Sequence, residues 1–507
     1  MIDIVFIHPG AQHGIYGPLG ETLTALEPPR WALILASYFV TRGHDVKVID
    51  QEAERLNAEA VAQQVLVYAP RLVCIVVHGH QPSASTQQMV AAHDVAVWLK
   101  HEHVTSPVVM LGNHPSALPE RTLREEPVDF VIDGEGPVAL EGLLEYVKKY
   151  GHQLRVHAPL SEISGLVWQK ELAGDVSIVH NPLPPLLDMD RDLAGSVAWH
   201  LLDMTRYRAH NWQCLGDWPR EPYASIHTTL GCSFRCNFCM INVFQHTNKY
   251  RRRSPENVVK EIVYLYRDHG VRTFKFTDEL FVLNRNHYRE ICQGLAGLGD
   301  QINIWAYART DSPMDGFDLE LMRRGGIRWL ALGIESGSAD VRGGANKALK
   351  GDAGGNGGIT ATVAKIRAAG INVIGNYIFG LPDDTLESME QTLDLALELN
   401  TEWANFYCAM PYPGSPLYDE VARDRPQDLP PSWSAYSQHN RHSHPLRNKN
   451  LTAAQIIGFR DGAFRTYFSS SDYRAMLAAK FGPSAIEEVD RMLSYNLDRD
   501  LLKEPTP

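Results

Sequence analysis

The sequence predicts an α/β protein: a doubly wound parallel-sheet unit, a partial barrel of six β/α units, and a small helical cap. Three observations predict it. Strand and helix patterns alternate through residues 1–150. They alternate again through residues 223–425. In residues 426–507 the strand signals stop and helical periodicity takes over.

In the first unit, "IDIVFIHP" reads as a strand and "RWALILASYFVTRG" as a helix stopped by Gly43. "HDVKVID" is a strand, "EAERLNAEAVAQQVLVYA" a helix, and "RLVCIVVHGH" a third, buried strand. "TQQMVAAHDVAVWLKHE" is a helix, "PVVMLGNHP" a fourth strand, and "VDFVIDGEGP" closes the set before the helix "VALEGLLEYVKKYG". Such a sheet binds its ligand at the carboxyl ends of its strands. Residues 151–222 are irregular and rich in Pro and Asp, and read as a connection with a few short strands.

The second unit opens with the strand "ASIHTTLGC", which runs into a cysteine loop. The helix "SPENVVKEIVYLYRDHG" follows, with Ser254 as N-cap, Pro255 at its first position and Gly270 as stop. Strands "VRTFKFTDE", "INIWAYARTD", "RWLALGIESG", "INVIGNYIFGLP" and "WANFYCAMPYPGSP" come next, with helices between them. That makes six β/α units, short of the eight of a closed barrel. "RGGANKALKGDAGGNGG" is glycine-rich and predicts a mobile loop. The cap holds "WSAYSQHNRHSHPL" and two helical patterns.

The composition excludes several classes. The 507 residues carry 48 Lys+Arg against 60 Asp+Glu, a net charge of −12, so nucleic acid is not the expected main partner. The run Tyr250–Arg253 is either an anion contact or a solvated helix entry. No apolar run approaches the ~20 residues of a membrane span, and "MIDIVFIHPG" lacks the features of a signal peptide. A cytoplasmic protein with no membrane partner is expected. Seven cysteines, an odd number with four scattered, argue against a disulfide framework.

Three of the seven, Cys232, Cys236 and Cys239, stand in one loop with spacing C-x3-C-x2-C. Soft thiolates so clustered hold zinc or an iron–sulfur cluster. A zinc site needs a fourth ligand, Cys214 or His246. An electron-carrying cluster could use Cys214. A 4Fe–4S cube on three cysteines leaves one iron open to a ligand with adjacent amine and carboxylate. The loop follows the first strand of the β/α unit, where the active-site mouth forms.

Cys232, Cys236 and Cys239 resemble the signature of the radical S-adenosylmethionine enzymes. The resemblance implies that the open iron binds the methionine amino and carboxylate groups, and that reduction releases a 5′-deoxyadenosyl radical. Phe238 matches the aromatic residue near the adenine. "FKFTDELF" resembles the second-strand motif, with Asp278 and Glu279 pointing into the mouth. "YARTD" resembles the third, with Arg309 for the carboxylate, whose geometry a guanidinium fork suits. "LGIESGS" resembles the fourth, with Glu335 and Ser336 for the ribose or amino group. "INVIGNYIFGLP", with Tyr377, resembles the fifth, where adenine lies on backbone. Taken singly, each residue has a structural reading too; their order along one barrel carries the weight.

The first unit resembles the cobalamin-binding domain of the cobalamin-dependent members of that family, so the resemblance covers nearly the whole chain. The matching pieces are "FIHPG" (Pro9, Gly10), "EPPRWALILASYF", Ser83 after the third strand, "LGNHPSALPE" (Gly112, Asn113, His114) and "DFVIDGEGP" (Gly134, Glu135, Gly136). The string D-x-H-x-x-G that places a histidine on cobalt is absent. His8, His13, His78, His80 and His114 lie near strand ends, none in that setting. Cobalamin with its base displaced and no protein histidine on the metal is expected, His114 being a loop contact. The alternative is a degenerate sheet that binds nothing or binds a nucleotide.

The implied activity is methyl transfer to an unactivated carbon, or to phosphorus, of a small polar molecule. A side-chain base cannot remove an sp3 C–H proton at neutral pH, whereas a radical removes the hydrogen. A flavodoxin- or ferredoxin-type reductant is the implied partner. The alternatives are a cyclase or oxidative enzyme with the same cofactors, and a non-catalytic metal-binding module. In the cap, Trp433, Tyr436, Gln438, His439, His442 and His444 either close the barrel mouth over a polar, phosphorylated or glycosylated substrate or form a packed, solvated cap.

Overall fold

The computed structural model describes residues 2–10, 15, 24–172, 175–349 and 356–503. His13 and residues 350–355 of the glycine-rich stretch lie outside the described residues. Among the described residues no helix is long and apolar enough to cross a membrane.

Five parallel strands build the first sheet: β1 (Ile4–His8), β2 (Val46–Asp50), β3 (Leu72–Val77), β4 (Val108–Gly112) and β5 (Phe130–Ile132). β1, up to its terminal His8, and β3 are apolar, and both are buried along their length, as strands covered on both faces must be. The order β2-β1-β3-β4-β5 reverses direction between β1 and β3, so the ligand crevice opens at their carboxyl ends. The stretch expected to be a loose connection does more. It adds an antiparallel hairpin, β6 (Leu166–Leu172) and β7 (Asp175–His180), to the edge beside β5. An antiparallel edge tolerates water on one face, and β7 is largely exposed.

The second sheet starts at β8 (Tyr223–Ile226). A two-residue ribbon, β9 (Thr229–Leu230) with β10 (Arg251–Arg252), brackets the cysteine loop. β11 (Thr273–Phe276), β12 (Asn303–Arg309), β13 (Ile327–Glu335), β14 (Asn372–Phe379) and β15 (Trp403–Cys408) then pair in sequence, all parallel, on β8. Ser254 caps the first helix by accepting from Asn257 N at 3.3 Å, and Gly270 takes the left-handed φ of 69°.

Side chains alternate across each strand, so one parity points into the barrel. Trp305 and Tyr307 on β12, Ala331 on β13, Ile374 and Asn376 on β14, and Asn405 on β15 line the lumen. The base is filled from outside the sheet. Trp212, on the connecting segment, packs its ring 5.5 Å from Trp305, 5.4 Å from Trp329 and 6.1 Å from Trp403. The Gln213 amide donates to Phe274 O at 2.9 Å, and Asn303 Nδ2 donates to Gln213 O at 2.7 Å, which fixes the plug.

The helices Ala453–Ser469, Ser471–Phe481 and Pro483–Leu493 form the cap, the first lying on β14 and β15. The exposed edge of β15 is closed by one side chain. Gln438 Oε1 accepts from Cys408 N at 2.8 Å while its Nε2 donates to Cys408 O at 2.9 Å, as a neighbouring strand would.

Candidate functional site

Gly231 opens the cysteine loop at φ 84°, and a Cβ there would come within 2.4 Å of Lys249 O and 2.5 Å of Gln245 Oε1, so only glycine fits. The loop is pinned at both sides. Asn237 N donates to Ala345 O at 3.2 Å, and Leu417 N donates to Asn237 O at 2.9 Å. Cys236 is buried, and Cys232 and Cys239 are partly so. Burial pushes the Cys232 thiol up to about 11 and Cys239 to about 12, and raises Cys236 as well. Such thiols ionise when a metal supplies the compensating charge.

The candidates for a fourth protein ligand are elsewhere. Cys214 sits under the barrel, beside Gln213 at the amino ends of β11 and β12, and donates to Pro219 O at 3.6 Å. His246 Nε2 stands 2.6 Å from Asp133 Oδ1. Among the described residues no three His, Cys, Asp or Glu side chains group tightly enough for one metal ion. With Cys214 and His246 engaged elsewhere, three soft donors on one pinned loop fit a cluster with one open iron better than a four-ligand zinc site.

Around the loop the strand parity sorts the expected S-adenosylmethionine contacts. Arg309 points inward. Its Nε and Nη2 bind Asp311 at 2.8 and 3.2 Å, its guanidinium lies 4.1 Å over Phe234 of the loop, and its buried Nη1 has no partner among the described residues. Glu335 points inward from a bulge between Gly333 and Glu335, at a left-handed φ of 65°. It pairs with Lys347 Nζ at 2.9 Å. Gly333 makes this possible, since a Cβ there would meet Glu335 Oε1 at 2.6 Å and Lys347 Nζ at 3.0 Å. Glu279 is inward too, with Oε2 unpartnered and its carboxyl raised to about 7 by burial. Phe238 packs with Val341, Leu381 and Ala409 beside Ile378 and gives the mouth an apolar wall.

Three expected contacts face elsewhere. Asp278 is fully buried, and its carboxylate accepts from Thr228 N at 2.7 Å, Thr229 N at 3.0 Å and the Thr228 hydroxyl. It ties the β8–β9 turn instead of pointing into the mouth. Ser336 is fully buried against the helix Leu386–Leu399, its Oγ 3.2 Å from Thr392 Oγ1. Tyr377 lies on the outer face of β14, stacked 5.4 Å from Phe406. Both have the wrong orientation for the lumen.

A cavity of about 580 Å3 joins the two sheets. His8, Pro9 and Gly10 after β1, and His80, Gln81 and Ser83 after β3, line it from above. Of the expected cobalamin contacts, Pro9, Gly10 and Ser83 thus face the cavity. The others do not line it. Gly112 is demanded by packing, as a Cβ would lie 1.9 Å from Val77 O. Asn113 Nδ2 reaches Met240 Sδ at 3.9 Å. His114 is enclosed, 3.3 Å from Thr86 Oγ1 and 4.5 Å from the Trp433 ring, and burial lowers it to about 3. Glu135 accepts from Leu187 N at 2.7 Å and pairs with Arg251. Gly134 N donates to Ser116 Oγ at 2.9 Å, and Gly136 has a left-handed φ of 95° at the helix entry.

In the cap, His439 lines the cavity, but Trp433 and Tyr436 do not. Tyr436, buried, and Trp433, half-buried, form a wedge against the helix Ser85–His101. Arg251 and Arg253 of the basic run are spent on Glu135 and Glu261, leaving Arg252 exposed.

The sequence reading missed the buried group between the sheets. Lys275 Nζ binds Glu27 Oε1 at 2.8 Å and His80 O at 3.2 Å. Arg30 reaches His80 O at 2.8 Å and His227 Nε2 at 2.9 Å. Burial opposes the charge on Glu27, but Lys275, His80 and Arg30 hold its carboxyl at about 2, while burial lowers Lys275 to about 8. A lone lysine inside the apolar strand "FKF" was the available signal. Glu27 Oε2, Arg30 Nε, Ser225 Oγ, His227 Nδ1, Glu279 Oε2 and Arg309 Nη1 are all buried without partners among the described residues. Orphaned polar atoms between the sheets and around the cysteine loop mark places built for bound groups.

A model of the radical SAM superfamily matches residues 226–396, and a B12 binding domain model matches residues 17–144. Over 474 residues the chain is 28% identical to an uncharacterized methyltransferase of Pyrococcus horikoshii, covering 92% of this chain and 93% of that protein. It is 26% identical over 477 residues to an anaerobic magnesium-protoporphyrin IX monomethyl ester cyclase of Cereibacter sphaeroides, covering 92% and 69%. The structure of TsrM, a radical S-adenosylmethionine methyltransferase from Kitasatospora setae with cobalamin and a 4Fe–4S cluster bound, superposes with TM-score 0.66 at 16% identity, covering 98% of this chain and all of that one. That likeness establishes the fold.

Proposed function

We infer the function of this chain from what it is: an enzyme of the radical S-adenosylmethionine superfamily that carries an amino-terminal B12-binding domain. A radical SAM domain implies a 4Fe–4S cluster and S-adenosylmethionine, and a B12-binding domain implies cobalamin. We propose that it is a cobalamin-dependent methyltransferase acting on an unactivated carbon, or on phosphorus, of a small molecule. The observation that carries this is a cavity of about 580 Å3 lined at once by the ends of β1 and β3 and by the lumen of the barrel. A substrate held there lies between the strand ends of the B12-binding unit and the barrel strands that also carry Arg309 and Glu335, so the two halves of the reaction can be brought to one molecule.

When bound, the cluster with S-adenosylmethionine supplies a 5′-deoxyadenosyl radical, and cobalamin supplies a transferable methyl group. The chain's residues hold and orient. Cys232, Cys236 and Cys239 offer three thiolates. Arg309 offers Nη1 to a carboxylate, with Asp311 fixing the fork. Glu335, set by its bulge and by Lys347, accepts from a hydroxyl or amine. Phe238 and Ile378 give adenine an apolar wall. Asp278 positions the strand-to-loop turn and touches none of these groups.

Cobalamin is proposed to bind with its base displaced and no protein imidazole on cobalt: His114 is enclosed by Thr86 and Trp433, and His8 and His80, which line the cavity, stand outside any D-x-H-x-x-G string. The electron is proposed to come from a flavodoxin- or ferredoxin-type donor, toward which Arg235, Lys249 and Arg252 give the loop a cationic rim. The seven free cysteines suit a reducing, cytoplasmic setting. Radical SAM cyclisation is the second reading, supported by the cyclase relative that spans 92% of this chain. Anaerobic turnover with methyl-labelled S-adenosylmethionine separates them. Methyl transfer releases S-adenosylhomocysteine alongside 5′-deoxyadenosine. Turnover yielding 5′-deoxyadenosine alone sinks the methyltransferase reading.

A further inference from the structure

The cavity wall names a substrate class, on the premise that the chain is a radical SAM enzyme whose substrate enters this space. Its floor is aromatic: Trp305 and Trp403, held by Trp212 below, with Tyr307 and Tyr407 on the sides. Ala331, between Trp329 and Gly333 on β13, is the small residue that leaves the centre open. A planar body fits over these faces.

The charges on the wall are unequal in what they leave free. Its three cations are engaged. Lys275 binds Glu27 and His80 O. Arg460 binds Phe406 O at 2.8 Å and Asp461 at 2.8 Å. Arg465 donates to Leu493 O at 3.3 Å and Tyr495 O at 3.2 Å. Glu27, 4% exposed, has one oxygen on Lys275 and the other, Oε2, without a partner among the described residues. A buried carboxylate oxygen left bare is costly, and a donor from the substrate removes that cost. Arg30, behind the wall, keeps Nε bare but has Nη1 and Nη2 held by His227 and His80 O, and among the described residues none of the wall's three cations has a buried nitrogen left bare for a phosphate or carboxylate.

We propose that the substrate carries a planar unsaturated body with a protonated amine beside it, the body resting on Trp305 and Trp403 and the amine donating to Glu27. Glu27 is then the specificity determinant and Lys275 its positioning residue. A phosphorylated substrate is disfavoured, because Lys275, Arg460 and Arg465 are already committed and its charge would lie against the bare Glu27 Oε2.

The test is calorimetric binding to the anaerobically reconstituted holoenzyme, with matched probes of one ring and opposite charge: 2-phenylethylamine and 3-phenylpropionate. The amine binds and the carboxylate does not. Glu27→Gln weakens the amine tenfold or more, and Ala331→Leu, which fills the cavity away from the ion pair, abolishes its binding. Melting curves confirm that each variant folds, and either variant suffices if the other does not. Equal binding of both probes, binding of neither, or amine binding unchanged in a folded variant overturns the proposal. 5′-Deoxyadenosine formation on reduction is read on the same sample. If it proceeds without amine binding, the substrate class fails and the radical reading stands. If it is absent, the radical reading itself fails.

Discussion

Glu335 and Lys347 meet at 2.9 Å over Gly333, within the electrostatic reach of Cys236. Burial opposes the Lys347 charge, yet Glu335 and Cys236 raise its pKa overall. Removing one member strands the other. Lys347→Met is expected to destabilise the protein by about 3–5 kcal/mol, and Lys347→Met with Glu335→Gln by less than either single change would suggest. Thermal melts of the two single variants and the double close the cycle.

The cluster assignment predicts an iron count. Wild type should hold about four irons after anaerobic reconstitution. Cys232→Ser, Cys236→Ser and Cys239→Ser should each lose most of that iron, while Cys214→Ser and His246→Ala keep it. Colorimetric iron and sulfide assays decide, and iron lost from Cys214→Ser would restore the four-thiolate reading.

Arg309→Lys keeps the charge but loses the planar fork. S-adenosylmethionine should bind at least tenfold more weakly, with iron content unchanged. Equilibrium dialysis with labelled cofactor measures it.

Adjacent acids should behave oppositely. Asp278→Ala removes three acceptor bonds from the β8–β9 turn. A loss of about 2–4 kcal/mol in stability is expected, with looser cluster binding. Glu279→Gln, whose Oε2 has no partner, should leave the melting temperature within a few degrees and alter cofactor binding instead.

Asp50 predicts a pH slope. Burial raises its carboxyl from 3.8 to about 7, with Tyr207 Oη donating at 3.1 Å. The folded state therefore holds a proton that the unfolded state releases between pH 4 and 7. Stability falls as pH rises through that window, by about 1.4 kcal/mol per unit at most. Asp50→Asn should flatten the decline, read as the melting temperature at pH 5, 6, 7 and 8.

Much of this was legible in the sequence. Alternation placed both sheets, and the thiol spacing placed the cysteine loop after the first barrel strand. What failed, failed by parity. In "FKFTDELF" the inward set is Lys275, Thr277 and Glu279, so Asp278 had to point the other way. Tyr377 missed the lumen for the same reason, since Ile374 and Asn376 mark the inward face of β14. Glu335 could not be placed by counting, because the bulge beside it shifts the register. Glu27 and Arg30 were hidden because their partners, Lys275 and His227, lie some two hundred residues away. The hairpin β6–β7 was hidden because half of it faces water and reads as loop.

Trp212 bears on how the molecule could be taken apart. A fragment begun at residue 223, where strand signals resume, would leave behind the ring that seals three other tryptophans from below. That newly bared apolar surface would draw chains together into aggregates. A cut just after β7 would keep the seal with the barrel, so the natural seam for excision runs through the proline-rich stretch near 181–186.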